Sequence, residues 1–123
     1  MRRFTMPKIL TKAGEREVKS NERPYGGAGH VLVEPLLDEE GLGRAGKLFA
    51  KVVLKPSCEV GHHEHHDEIE AYYILSGTGM YEDNGKAMAV EPGDVLYCDN
   101  GHGHGIKNTG TEDLVFVALI LNR

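Results

Sequence analysis

The chain has 123 residues, enough for one compact domain and too few for two ordinary ones. Its 19 acidic and 14 basic residues leave a net charge of −5, which gives no bulk attraction to nucleic acid or to an anionic membrane. No stretch approaches the roughly 18 apolar residues of a membrane span, and we do not expect the opening MRRFTMPKIL to be a signal peptide. We therefore expect a cytoplasmic protein that binds neither nucleic acid nor membrane, with Cys58 and Cys98 as small buried thiols.

The first half of the chain divides into an extension and the start of a domain. Residues 1–29 carry mixed charge and end in a glycine-rich loop, so we expect an N-terminal extension that drapes over the body or pairs at a sheet edge. The domain itself is predicted to span residues 30–123. Its first strand, VLVEPLL, is expected to be broken by Pro35. A polar connection over residues 38–46 then leads to a second strand over 47–54.

The second half shows a regular series of short strands. Strands are predicted at residues 70–75, 80–82, 86–90, 95–98, 104–107 and 114–121. Asn84-Gly85 is a strong hairpin signal, and the last strand is apolar on both faces, as expected in the middle of a sandwich. No central segment shows a helical stripe with caps. Sixteen glycines and turn signals every eight to twelve residues indicate an all-β antiparallel sandwich or barrel.

Histidine is concentrated in two places. Six of the seven histidines fall into two groups, which are His62, His63, His65 and His66, then His102 and His104. The first group lacks the His-Glu-x-x-His spacing, and the cysteines are too far apart for a zinc finger. On a strand, however, His63 and His65 share one face. Glu70 can add a carboxylate across a short turn, and His104 can join them if its strand lies alongside.

This donor set predicts a metal site. Three imidazoles and one carboxylate suit one divalent transition metal (Mn, Fe, Co, Ni, Cu or Zn) and are a poor set for Ca or Mg. Two alternatives stay open at this stage. A shift by one residue selects Glu64, His66 and Glu70, and a site closed by hydrogen bonds needs no metal. Strand alternation points His62 and His66 away from the site.

The sequence also predicts the orientation of other side chains near the site. Tyr72 lies two residues beyond Glu70 and should face the cavity, whereas Tyr73 should face outward. His102 shares parity with His104 and is, with Tyr72, a candidate to line the pocket. Gly77, Gly93 and Gly101 are expected in turns at positive φ, and Asn108 is expected to tie a turn through its side chain.

The spacing of these residues resembles the two motifs of the cupin superfamily. The stretch His63-x-His65-x4-Glu70-x6-Gly77 is similar to the first motif, and Gly93-x5-Asp99-x-Gly101-x2-His104-x3-Asn108 is similar to the second. The segments EAYYILSGTG and EPGDVLY resemble the corresponding segments of small single-domain cupins, which are often compared with oxalate decarboxylase. The resemblance covers residues 57–108 and implies a jelly-roll β-barrel with all four metal ligands. Ser57 and Asp99 depart from it, since the motifs there usually have glycine and proline.

Function is less strongly specified than fold. A divalent ion with these four ligands keeps a net charge of about +1 and should attract a small anionic or oxygen-chelating molecule. The resemblance implies an enzyme of the decarboxylase or dioxygenase type. A non-catalytic metal- and ligand-binding module and a purely structural barrel are the alternatives. Glu59, Glu64 and Glu68 are candidates for a decarboxylase proton donor by nearness only.

We also expect a homodimer. The resemblance implies pairing, since small cupins usually pair. The outer sheet face of so small a sandwich should in addition be partly apolar, with Tyr73, Leu75 and strand 114–121 as candidates.

Overall fold

A computed structural model describes residues 7–123 of the chain. Ten strands, one 3₁₀ turn and one short helix occur in this part. In chain order they are β1 (Lys19–Glu22), the 3₁₀ turn (Pro24–Gly26), β2 (His30–Leu37), α1 (Glu39–Leu42), β3 (Gly46–Leu54), β4 (Glu59–Glu64), β5 (Glu68–Ser76), β6 (Gly79–Asp83), β7 (Lys86–Val90), β8 (Val95–Cys98), β9 (Gly103–Asn108) and β10 (Leu114–Asn122). Every strand predicted in the second half is present, which confirms the all-β expectation.

The strands form two antiparallel sheets. A six-stranded sheet has the order β1-β2-β3-β10-β5-β8, and a four-stranded sheet has the order β4-β9-β6-β7. Strand β10 lies between β3 and β5, as its two apolar faces predicted. Apolar side chains fill the space between the sheets, with Leu54, Ile74, Leu114 and Phe116 almost fully buried. This double-sheet arrangement is a jelly roll.

The structure confirms the predicted hairpin turn at Asn84-Gly85 and the predicted role of Asn108. Asn84 and Gly85 join β6 to β7 with φ of 47° and 95°, the left-handed geometry of a tight two-residue hairpin. Asn108 is fully buried and donates from Nδ2 to the carbonyls of Leu54 and Glu112, at 2.8 and 2.7 Å. Its side chain therefore ties the β9–β10 connection to the end of β3.

Two details of the first half differ from expectation. Pro35 does not break β2; the strand continues to Leu37 with a register shift after Pro35. Strand β1 pairs only with the beginning of β2, so Pro35 has no ladder partner on that side and its missing N–H costs little. The predicted connection over 38–46 contains a helical turn, α1. Its N-cap is Asp38, whose Oδ1 accepts a hydrogen bond from Gly41 N at 2.9 Å.

The two departures from the cupin motifs are accommodated locally. Ser57 lies at φ 70°, the left-handed region that favours glycine. Asp99 replaces the rigidity of proline with hydrogen bonds, accepting from Asn100 N at 2.9 Å and Tyr97 Oη at 3.0 Å. The loop that follows is paired with the chain after β4, because His65 N donates to the His102 carbonyl at 3.0 Å.

Residues before His30 are attached to the barrel. Strand β1 pairs with β2 at the edge of the six-stranded sheet, one of the two arrangements expected for the extension. Residues 23–29, which we call the strap, then cross to β4, where Glu59 N donates to the Ala28 carbonyl at 2.9 Å. Residues 1–6 of the extension lie outside the described residues, and the division of the chain at residue 29 stays a prediction.

Two sequence expectations concern individual features of the described chain. Cys58 and Cys98 are both free; Cys98 is buried as expected, whereas Cys58 is only partly buried. Among residues 7–123, no helix is long and apolar enough to cross a membrane.

Candidate metal centre

Four side chains converge at one point between the sheets. Strand β4 and the residue after it supply His63 and His65, β5 supplies Glu70, and β9 supplies His104. His104 Nε2 lies 3.0 Å from the Nε2 atoms of His63 and His65 and 2.8 Å from Glu70 Oε1. Glu70 Oε1 lies 2.9 Å from His65 Nε2 and 3.6 Å from His63 Nε2. All four side chains are buried, and these gaps are too short to hold a water molecule between the atoms.

These spacings match the edges of a coordination shell. Imidazole nitrogens and carboxylate oxygens bind a divalent transition metal at about 2.0–2.2 Å, which puts adjacent octahedral ligands about 3 Å apart. The register with His63, His65 and Glu70 is the one brought together. In the alternative register, Glu64 and His66 contact each other at the surface, at 3.2 Å, with most of each side chain exposed.

The hydrogen bonds of the outer ring nitrogens determine whether the inner nitrogens of the imidazoles carry a proton or a lone pair. His63 Nδ1 lies 2.9 Å from the Gly61 carbonyl, which can only accept, so Nδ1 carries the proton. His65 Nδ1 likewise donates to Glu68 Oε1 at 2.6 Å. The Nε2 atoms of these two rings therefore turn lone pairs inward. His104 Nδ1 pairs with Tyr81 Oη at 2.8 Å, and a single Nε2–H on His104 could not serve both rings and Glu70 at once. A cation at the centre would accept the lone pairs of all three Nε2 atoms and of the Glu70 carboxylate, so the residues fit a metal ion.

Charge at the centre is set by burial and by these contacts. Burial opposes ionisation of Glu70, but its close contacts with His104, His63 and His65 outweigh burial and hold its pKa well below the ordinary range. The hydrogen bond to Glu70 raises the pKa of His65, whereas burial lowers the pKa of His104. Glu70 is therefore a carboxylate at neutral pH, ready to bind a cation.

The centre opens on one side into a cavity of about 150 Å³. His63, His65 and Glu70 line it, together with Tyr72, which is stacked on His104 with ring centroids 5.1 Å apart. Its opposite wall is apolar and comes from β2, β3 and β10. That wall includes Val31, Val33, Leu48, Val52, Phe116 and Ala118. The cavity is smaller than the roughly 300–1,000 Å³ of pockets for drug-sized ligands.

Several residues singled out in the sequence lie away from the centre. His62 faces the outside of the four-stranded sheet, where its Nδ1 lies 2.6 Å from Glu82 Oε1. His66 is largely exposed. His102 is exposed and is not among the residues that line the cavity.

The three proton-donor candidates do not line the cavity either. Glu59 accepts from Ala28 N at 3.2 Å, and Glu64 lies at the surface beside His66. Glu68 is held between His65 and Lys47, whose Nζ lies 2.7 Å from Glu68 Oε2. Burial opposes ionisation of Glu68, but hydrogen bonds from His65 and Lys47 outweigh it and keep its pKa below the ordinary value.

Sequence reasoning missed the residues around the rings. Tyr25 of the strap stacks on His63, with ring centroids 4.3 Å apart and planes 16° from parallel. Asn21 of β1 and Pro24 complete the mouth of the cavity. Tyr81 lies on the same face of β6 as the buried Gly79, which only the structure shows. Nothing in the local sequence marks Tyr25, because its position depends on how the strap crosses β4.

The fold and the site together define a jelly-roll protein with a buried three-histidine, one-glutamate centre. Residues 50–120 match the model of the family described as Cupin domain. An oxalate-binding protein of Thermotoga maritima is 45% identical over 96 residues, which cover 78% of this chain and 79% of that protein. The chain belongs to the cupin family.

Two further comparisons agree with this assignment. The crystal structure of a predicted oxalate decarboxylase from Thermotoga maritima superposes with a TM-score of 0.90 at 38% identity, covering 94% of this chain and all of that one. A 5-nitrosalicylic acid 1,2-dioxygenase from Bradyrhizobium sp. is 28% identical over 83 residues. That match covers 67% of this chain but only 40% of the dioxygenase.

Proposed function

We propose that the chain holds one divalent transition-metal ion through His63, His65, Glu70 and His104 and binds a small organic acid of the oxalate type beside it. The observation that carries the proposal is the inward convergence of four ligand atoms, three of them on imidazoles whose outer nitrogens already have hydrogen-bond partners. When bound, the ion supplies a Lewis acid of net charge about +1 in a weakly screened site.

The cavity suits such a ligand in size and charge. At about 150 Å³ it holds a molecule of only a few heavy atoms. No lysine or arginine among residues 7–123 lines it, so the charge of an anionic ligand would be balanced at the centre itself. The apolar walls exclude water and strengthen that attraction. The oxalate-binding relative, at 45% identity, supports oxalate as the first ligand to test.

Binding is better supported than decarboxylation. Decarboxylation needs an acid to protonate the product carbanion, and Glu70 is the only carboxyl group among the described residues that lines the cavity. Glu70 is committed to the centre by its contacts with His65 and His104. The similarity to a dioxygenase supports oxygen-dependent turnover as the second candidate, because that class of reaction does not require a carboxylic acid in the wall.

The test has two stages. Metal analysis of the purified protein should give one transition-metal ion per chain. Calorimetric titration with oxalate should then give binding to manganese-loaded protein and none to metal-free protein. Absence of oxalate binding by the manganese-loaded protein would overturn the proposal. Turnover of the bound acid under air but not under nitrogen would support the dioxygenase candidate, and turnover under both would support a decarboxylase.

A further inference from the structure

The cavity mouth carries one amide side chain. Beyond the centre itself, the polar side chains of residues 7–123 that line the cavity are Asn21, Tyr25 and Tyr72. Tyr72 is buried, and its ring is stacked on His104. Tyr25 presents its ring face to His63. Asn21 is the amide side chain of the cavity lining, and no hydrogen bond between described residues occupies its two N–H groups.

The position of Asn21 is set by the sheet. It pairs with Val31 in the β1–β2 ladder, and Val31 is 4% exposed and lines the same cavity. Strand alternation therefore turns Asn21 toward the centre and Ser20 toward the outside, where Ser20 Oγ lies 3.5 Å from His30 Nδ1. Asn21 itself remains exposed, so it lies at the mouth of the cavity and not in its floor.

The strap fixes β1 relative to the centre. A side chain at Gly61 would run into the Tyr25 carbonyl, and one at Gly27 would run into the Glu59 carbonyl. The two backbones are therefore in direct contact. Arg23 N also donates to the Gly29 carbonyl at 2.8 Å, which closes the strap at its base. Asn21 and the centre consequently belong to one rigid arrangement.

A chelating dicarboxylate presents a problem that this amide solves. It binds the ion through one oxygen of each carboxylate, and its other two oxygens point away from the centre. The wall opposite is apolar, and burying charged oxygens there without hydrogen bonds is costly.

We propose that Asn21 is a specificity-determining residue that donates from Nδ2 to the outward oxygens of the bound acid. This inference rests on the proposed function of the centre. The preference for acids with two carboxylate groups would then come from β1, a strand that carries none of the four metal ligands.

The experiment uses the full chain loaded with manganese and titrated with oxalate. Asn21→Leu removes the donors at similar size, and Asn21→Asp keeps the shape but offers only acceptors and a negative charge. We expect both variants to keep one metal per chain and to bind oxalate at least about tenfold more weakly, the usual effect of a hydrogen bond to a charged group. The rise in melting temperature caused by oxalate should shrink in parallel. Ser20→Ala, on the opposite face of β1, should bind oxalate as the unmodified chain does.

The outcomes separate the two proposals. If the unmodified loaded chain binds oxalate and Asn21→Leu binds it equally well, Asn21 is only a solvated strand residue and this inference is overturned, while the proposed function stands. If the unmodified loaded chain binds no oxalate, the proposed function fails and this inference fails with it. Weaker binding by both Asn21 variants, with Ser20→Ala unchanged, supports the inference.

Discussion

At the scale of single residues, the histidines of the first group differ in what they contact, although they are neighbours in sequence. His65 is 4% exposed and has a partner at each ring nitrogen, whereas His62 is directed to the opposite face of the sheet. Strand alternation explains this difference. It also makes the neighbours natural controls for one another.

Replacing a ligand should be far more damaging than replacing a neighbour. We expect His65→Ala and His104→Ala each to reduce metal affinity at least about tenfold, because each removes a donor that no nearby side chain replaces. His62→Ala should leave affinity unchanged, since only the surface pair with Glu82 is lost. Competition with a chelator measures this directly. Equal losses in all three variants would mean that the ligand register is wrong.

The hydrogen bond behind His65 should matter nearly as much. Glu68→Gln keeps the shape but removes the negative charge that orients the His65 ring and raises its basicity. We expect metal affinity to fall by about 10- to 100-fold. Glu64→Gln changes an exposed carboxylate of the same region and should have no effect. A Glu68→Gln variant with unaltered affinity would show that the ring is held by packing alone.

The sequence specified the donors better than their supports. The spacings of His63, His65, Glu70 and His104 predicted the set that converges, because strand parity and turn length decide which side chains share a face. Glu68 could not be distinguished from Glu59 and Glu64, since its role depends on the backbone turn at Asp67, φ 61°. That turn brings the Glu68 carboxylate back to His65 Nδ1.

At the scale of elements, the strap is the part that connects β1 to the metal-binding strands. It contains two non-glycine residues at positive φ, Arg23 and Tyr25, at 48° and 52°. Such backbone is costly and persists only where surrounding contacts hold it. The close approach of Gly61 to the Tyr25 carbonyl is one of those contacts.

A methyl group at Gly61 should therefore loosen the strap. Gly61→Ala places Cβ against the Tyr25 carbonyl, so we expect faster amide hydrogen exchange over residues 23–29 and weaker stacking of Tyr25 on His63. Gly41→Ala is the matched control, because it lies in α1 and the nearest atoms to its Cβ belong to the side chains of Leu37 and Asp38, with no backbone atom among them. Unchanged exchange in Gly61→Ala would show that the strap is held by other contacts.

Strands were predictable here, and the strap was not. The Asn84-Gly85 hairpin signal predicted β7 with correct ends and β6 one residue short at each end, because local sequence determines such hairpins. The course of residues 23–29 depends instead on packing against β4, which is more than thirty positions later. The helical turn α1 was missed for a simpler reason, since four residues are too few to show a helical period.

At the scale of the whole molecule, the centre joins the two sheets. His63 and His104 belong to the four-stranded sheet, and Glu70 belongs to the six-stranded one. An ion held by all three therefore connects β5 to β4 and β9, with which β5 shares no backbone ladder. Its binding energy adds to the free energy of unfolding.

Metal should consequently stabilise the fold, and acid should remove that effect. At an ion concentration 100 times the dissociation constant, the gain is about 2.7 kcal/mol, or roughly 10 °C in melting temperature. Histidine ordinarily titrates near 6.5, so protons compete at three ligands as the pH falls below that value. The raised pKa of His65 in the metal-free chain means that protonation there stabilises that chain at low pH and is lost as pH rises. The difference between loaded and metal-free melts should thus grow from pH 5 to pH 8. Identical melts at pH 7.5 would contradict the centre.

The outer face of the six-stranded sheet supports the expected homodimer. Tyr73, Leu75, Val95 and Tyr97 are 45–68% exposed, and Tyr73 pairs with Val95 across β5 and β8. We propose that a second copy of the chain covers this face, and light scattering should give twice the monomer mass. Val95→Lys should yield monomers, because it introduces a charge into the apolar patch. Met80→Lys, on the other sheet, should not. A monomeric mass for the unmodified chain at micromolar concentration would contradict the proposal.

The metal-ligand side chains and the side chains at the cavity mouth come from separate stretches of polypeptide. All four donors lie within residues 50–120, whereas Asn21, Pro24 and Tyr25 at the mouth precede that region. Substitutions in the strap can thus reshape the entrance while every donor stays in place. For protein engineering, this makes residues 19–29 an exchangeable cassette: a short insert from a relative could redirect ligand preference on an unaltered metal-binding scaffold.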